Sequence, residues 1–230
     1  MRVRVPAWPL IVFVLLARSL AAQAESGPVV HVEFTNPALT PAHWELTVNS
    51  DGSGHFHSEP GSPPPAPPQG TVQLTEPAID PPALDREIQL SPAFAKRLFQ
   101  TARRHNRFSQ ECDSHMKVAF QGWKKLSYAG PEGEGSCLFN YSKDKEIQAL
   151  GDSLVAVAGT ILAGARIEKL LQYDRLGLDR ELEYLTEAVK DGRVQQIGVI
   201  RATLERLVAD PAIMDRVRKR ARLLLARHEE

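Results

Sequence analysis

The histidines in the first quarter of the chain are the residues with the clearest reach into chemistry. His43 and Glu45 alternate with Trp44, Leu46 and Val48, and His55 and His57 flank Phe56. Side chains two apart on a strand project to the same face. If these two segments form a hairpin across Asn49-Ser50-Asp51-Gly52-Ser53-Gly54, then His43, Glu45, His55 and His57 share its outward side. His31 and Glu33 have the same parity on a segment that could adjoin it. Imidazoles and a carboxylate on one face can grip zinc or copper. One expectation is therefore a metal-binding protein, or a metal-dependent enzyme, using these residues. The other is a solvated polar face that needs no ion, and no other cofactor is implied.

Two serine motifs point to nucleophilic chemistry and lack the rest of it. Gly151-Asp152-Ser153-Leu154 spells the nucleophile tetrapeptide of GDSL-type esterases. That chemistry needs a serine at a strand-to-helix turn and a histidine to take its proton. Here Glu146 to Leu150 reads as helix, and no D-x-x-H follows; Leu225 stands where the Asp before His228 should be. A capping role at a helix start accounts for Asp152 and Ser153 instead. Ser114-His115-Met116-Lys117 matches the S-x-x-K of penicillin-recognising enzymes, but the chain has no K-T-G, and Met116 to Phe120 reads as strand. No catalytic residue is assigned.

Charge narrows the partners. Formal net charge is zero, so no global field calls for nucleic acid. Arg216, Arg218, Lys219, Arg220, Arg222 and Arg227 make the last helical stretch locally basic. An anionic surface or a protein partner is one reading of it. A solvated face partly neutralised by Asp215, Glu229 and Glu230 is the other. Asn140-Tyr141-Ser142 is a glycosylation sequon, which matters only in a eukaryotic secretory route.

These groups must be positioned by short strands and a run of helices. Pro28 to Phe34 alternates, with Val30, Val32 and Phe34 on one side. Glu59 to Gly70 is a Pro-rich stiff loop or linker, and Thr71 to Thr75 and Glu87 to Leu90 are further strand candidates. Ser91-Pro92 opens a helix with Phe94, Leu98, Phe99 and Ala102 on one stripe. Cys112 to Tyr141 reads as a three-stranded meander cut by Gln121-Gly122 and by Gly130 to Gly135. Its first and third strands would be about 9.6 Å apart, beyond the roughly 7 Å reach of a disulfide. Cys112 must then lean across from the entering loop to bond Cys137, a link worth roughly 3 kcal/mol in chain entropy.

From about Lys143 to Tyr173 the pattern is helical, uncharged between Leu154 and Ala165, with Gly159, Ala163 and Gly164 permitting close approach of a neighbour. Gly177 ends it. Asp179 caps the next helix, which stops at Asp191-Gly192; Val194 to Leu207 marks a third, and Asp210-Pro211 starts the last.

The fold class expected is α+β: a small, mostly antiparallel sheet with one packed helix, followed by a helical C-terminal bundle. The chain divides into residues 1–24, a signal peptide; 25–141, the β-rich region with the Pro-rich linker 59–70; and 142–230, the helical region. The leader reading rests on Arg2 and Arg4, the apolar run Leu10 to Leu16, and Ala22-Gln23-Ala24 as a cleavage site. The apolar run falls short of the roughly 20 residues a membrane span needs, and no later run reaches it either. A secreted or periplasmic protein, non-catalytic and acting as a binding or structural module of the envelope or exterior, is the functional expectation.

Overall fold

The computed structural model describes residues 27–60 and 83–226. The leader, the strand candidate at 71–75, most of the Pro-rich segment and residues 227–230 lie outside these. Six strands are formed: β1 (Val29–Thr35), β2 (His43–Asn49), β3 (Ser53–Ser58), β4 (Leu84–Gln89), β5 (Trp123–Gly130) and β6 (Gly133–Phe139). They make one antiparallel sheet in the order β4-β3-β2-β1-β5-β6. Among the described residues there are five α-helices: α1 (Pro92–Arg104), α2 (Lys145–Tyr173), α3 (Leu178–Lys190), α4 (Arg201–Ala209) and α5 (Asp215–Ala226). This is an α+β fold with a helical C-terminal part.

Period-two patterning decides which face of the sheet is covered. Val30, Val32 and Phe34 of β1, Trp44, Leu46 and Val48 of β2, Phe56 of β3, and Leu126 and Tyr128 of β5 are all buried. They form one core with Phe94, Leu98 and Phe99 of α1 and with the first half of α2. Ser91 caps α1, its hydroxyl accepting from the Phe94 N–H at 3.2 Å. Removal of this much apolar surface from water is what holds α1 and α2 on one side of the sheet. Among the described residues the opposite face is left open.

The stretch from Cys112 to Tyr141 is not a three-stranded meander. Only β5 and β6 pair within it, and the strand on the far side of β5 is β1. Met116 to Phe120 is irregular, and Met116, Val118 and Phe120 are exposed. Alternation there has no buried side behind it, so it carries no strand. The disulfide does form: Cys112, in the loop entering β5, bonds Cys137 on β6 with 5.7 Å between Cα atoms. The same loop runs beside β6, where the Ser109 hydroxyl donates to the Glu134 carbonyl and the Ser114 N–H donates to the Tyr141 carbonyl at 2.8 Å. It shields the sheet's last edge from further pairing.

Helix starts also differ from the sequence reading at three places. Asp144 caps α2, accepting from the N–H groups of Glu146 and Ile147. Asp152 and Ser153 therefore lie inside the helix and cap nothing. Gly177, not Asp179, is the cap residue of α3, and Asp179 sits in its first turn. Asp210-Pro211 is spent on a turn, where the Asp210 carboxylate accepts from the Ala212 N–H at 2.8 Å, and α5 begins only at Asp215.

Helix α2 is the longest element and belongs to two cores. Ile147, Leu150, Leu154, Val157 and Ile161 pack with the sheet; Ala163, Ile167 and Leu170 pack with α3, α4 and α5. Gly164 lies so close to Ile200 that a Cβ there would collide with its side chain. None of the helices is long and apolar enough to cross a membrane, among the described residues.

Candidate functional site

Strand register places the sequence-predicted residues on the open face in two rows. One reads Asp85, His57, Glu45, Glu33, Lys125, Leu138 from β4 to β6; the next reads Glu87, His55, Thr47, His31, Ser127, Ser136. His43 stands one step further along β2, opposite Thr35. The four residues His43, Glu45, His55 and His57 do share this face, but their bonds sort them into two groups.

In the first group, the His43 Nε2 lies 3.3 Å from Glu45 Oε1, and its Nδ1 lies 3.0 Å from the Thr35 hydroxyl. His31 contacts Glu33 at 3.5 Å and Glu45 at 3.9 Å. Lys125 donates to Glu33 at 2.7 Å, and this bond holds the Glu33 carboxyl below its ordinary range. In the second group, one carboxylate serves both remaining imidazoles: Asp85 lies 2.7 Å from His55 Nε2 and 3.3 Å from His57 Nδ1. Their hydrogen bonds, His55's foremost, hold the Asp85 carboxyl below the usual carboxylate range. Among the described residues no three His, Cys, Asp or Glu side chains converge in an arrangement that could hold a metal ion.

The sequence pattern starts this strand at Glu87, whereas β4 begins at Leu84 and brings Asp85 onto the open face. The buried pair Leu84 and Ile88, four apart, carried the signal for the longer strand and for Asp85 on its outward side.

Toward β5 and β6 the face hollows. A shallow pocket of about 420 Å³ is lined by His31, Lys125, Ser127, Glu134 and Ser136, with Val29 and Ala129 at its end. A cation, a carboxylate, two hydroxyls and an imidazole together offer donors and acceptors in one concavity. A small polar ligand or a polar edge of a larger one fits that chemistry.

The remaining motifs are accounted for by structure. Ser153 has no hydrogen bond to a histidine among the described residues, and it lies on a helix rather than at a strand-to-helix turn. Ser114 is buried, and its hydroxyl accepts from the Met116 N–H at 3.2 Å. The Asn140 side chain accepts from the Gln121 N–H at 2.7 Å and donates to the Ala119 carbonyl, pinning the loop before β5. In α5, Arg216 and Arg220 pair with Asp179, Arg220 also with Glu183 at 3.4 Å, and Arg218 with Asp215 at 3.2 Å. Three of its cations are thus balanced within the fold. Compared with known proteins, the chain matches no protein family and no curated protein.

Proposed function

We propose that this protein is an exported, non-catalytic binding module whose recognition surface is the open face of the sheet. One observation carries the reading. Helices cover one side of the sheet, while the other presents two rows of histidines, carboxylates and hydroxyls ending in a polar hollow of about 420 Å³. Polar groups arrayed on a rigid scaffold suit recognition of a polar ligand. Export is supported by the leader pattern of residues 2–24, and the Cys112–Cys137 disulfide is compatible with an oxidising compartment.

Two measurements test it. N-terminal sequencing of native protein from the exterior or envelope fraction is expected to start at Glu25; intact leader in the cytosol overturns export. Amide and imidazole NMR shifts, followed while fragments of envelope polysaccharide are added, are expected to move at His31, Ser127 and Ser136. Shifts confined to α3, α4 and α5 overturn the choice of face.

A second reading, metal binding, is favoured by the carboxylate that His55 and His57 share. A zinc or copper ion would take Nε2 or Nδ1 of these rings with Asp85, the rings first leaving their present hydrogen bonds. Calorimetric titration with zinc and copper, with His55→Ala and His57→Ala as controls, is expected to show heat that both variants lose. Heat no greater than a buffer blank removes this reading.

A further inference from the structure

Lys124 is a charged side chain turned inward. In Trp123-Lys124-Lys125-Leu126-Ser127-Tyr128 the buried parity belongs to Lys124, Leu126 and Tyr128, and Lys124 is only 3% exposed. Its stem crosses α2 at Gly151, and a methyl group there would stand 2.9 Å from the Lys124 Cδ. The ammonium lies 3.2 Å from the Asn140 carbonyl, 3.7 Å from Asp152 Oδ1 and 5.5 Å from the centre of the Phe139 ring.

The side chain also lines a pocket of about 360 Å³, on the opposite side of the sheet from the open face. Val155 and Ala156 form an apolar wall, Asp152 borders the amine, and Gln121 and Arg193 complete the lining. Asp191 lines the rim as well and holds Arg193 at 3.1 Å. Burial pushes the amine below the ordinary lysine range, against the pull of Asp152. An amine held below the ordinary lysine range, lining a concavity with a carboxylate beside it, is the arrangement of a nucleophilic lysine.

We propose that Lys124 captures a small aldehyde or ketone in this pocket, condensing with it to an imine. The neutral nitrogen adds to the carbonyl carbon, and the carbonyl π pair moves to oxygen. Asp152 carries one proton from the nitrogen to that oxygen, giving a carbinolamine. It then carries the second, and the nitrogen lone pair forms the C=N bond as the C–O bond breaks and the oxygen leaves as water. One amine and one carbonyl give one imine and one water, so no oxidant or reductant is consumed. The site shares no residue with the open face and stands whether or not that face binds a ligand.

The probe is salicylaldehyde, added in limiting amount to the full chain at neutral pH with cyanoborohydride to fix any imine as a secondary amine. Peptide mapping then reads every lysine in one sample, which needs no variant to fold. Lys124 is expected to carry several-fold more label than Lys117 or Lys125, because its amine lines the pocket and is held by burial below the ordinary lysine range. Val155→Trp, which fills space along the pocket wall, is expected to cut labelling at Lys124 several-fold and leave Lys117 and Lys125 unchanged. Lys124 labelled no faster than those two lysines overturns the proposal. So does labelling that Val155→Trp leaves untouched, since the amine would then react by local opening, as a lysine that merely ties β5 to α2 does.

Discussion

Glu168 shows what a single side chain contributes here. It sits on the sheet side of α2, where it accepts two hydrogen bonds from Arg86 at 3.2 and 2.7 Å and one from the Thr203 hydroxyl at 2.6 Å. Burial raises its carboxyl, but the bonds from Arg86 and Thr203 outweigh burial and hold it below the ordinary value. A carboxylate lowered in the fold stabilises above its unfolded pKa and loses that contribution as pH falls through the folded one. Glu168→Gln is therefore expected to cost about 1–2 kcal/mol at neutral pH, short of a fully buried pair because solvent reaches both partners. The wild-type chain should also lose stability more steeply than the variant on acidification below about pH 4.3. Urea unfolding across that range measures both; parallel curves would show that the bidentate bond has no energetic weight. Gly151 is the second residue to test. A Cβ there meets the Phe139 ring at 2.9 Å as well as the Lys124 stem, and a packed ring cannot step aside. Gly151→Ala is expected to destabilise by about 1–3 kcal/mol through overpacking, read in the same urea experiment. The Gly-Asp pair of the esterase-like tetrapeptide thus has a packing explanation: Gly151 admits the lysine stem, and Asp152 faces its charge.

At the scale of elements, the disulfide and the loop it anchors guard the β6 edge. Replacing both cysteines by serine is expected to lower stability by roughly 3 kcal/mol under oxidising conditions, the chain-entropy value for a loop of this length. Hydrogen exchange should quicken along Gly133–Phe139 before it does in β1, because the loop and not a neighbouring strand covers that edge. Uniform acceleration would mean that the loop does not protect β6. Which elements were legible follows from how burial writes itself into a sequence. Residues 29–34, 43–48 and 53–58 alternate strictly because one face is dry and one is wet, so three strands, the hairpin and the outward parity of its histidines were readable. Ser91-Pro92 and the Phe94–Leu98–Ala102 stripe marked α1 for the same reason. Val118 and Phe120 alternate too, but both are exposed, at 37% and 50%. Pattern alone cannot tell a strand from an apolar loop that leaves its side chains in water. The pairing of Asp85 with two histidines from β3 crosses 28 and 30 residues of sequence, and local spacing holds no record of it. Lys124 is the reverse case: a cation belongs to solvent by type, and its inward parity is made tolerable by the Asn140 carbonyl, by Asp152 and by the room that Gly151 leaves for its stem, none of which local spacing records.

Across the whole molecule, α2 decides whether the β-rich and helical regions can exist apart. A division at residue 141 assigns all of α2 to the helical part, yet Ile147, Leu150, Leu154, Val157 and Ile161 complete the core under the sheet. Burying each such side chain contributes about 1.5–3 kcal/mol, so a fragment without them forfeits on the order of 10 kcal/mol. That matches the whole stability of a typical domain, about 5–15 kcal/mol. Residues 27–141 expressed alone are expected to be unfolded, with a collapsed near-ultraviolet dichroism signal and free access of protease, even with Cys112 bonded to Cys137. The reciprocal argument applies to the C-terminal part, where Val199 packs against both cores and Ile200 presses on Gly164 of α2. One helix shared by two cores transmits the loss of either to the other, so the full chain should unfold in a single transition by far-ultraviolet dichroism and by tryptophan fluorescence. Of the tryptophans in the described residues, Trp44 is buried in the sheet core against Phe34 and Phe56 and Trp123 lies on β5, so both report on the sheet. Two separated transitions, or a folded 27–141 fragment, would show that the sheet closes its core without α2 and that the helix is a tether between independent units.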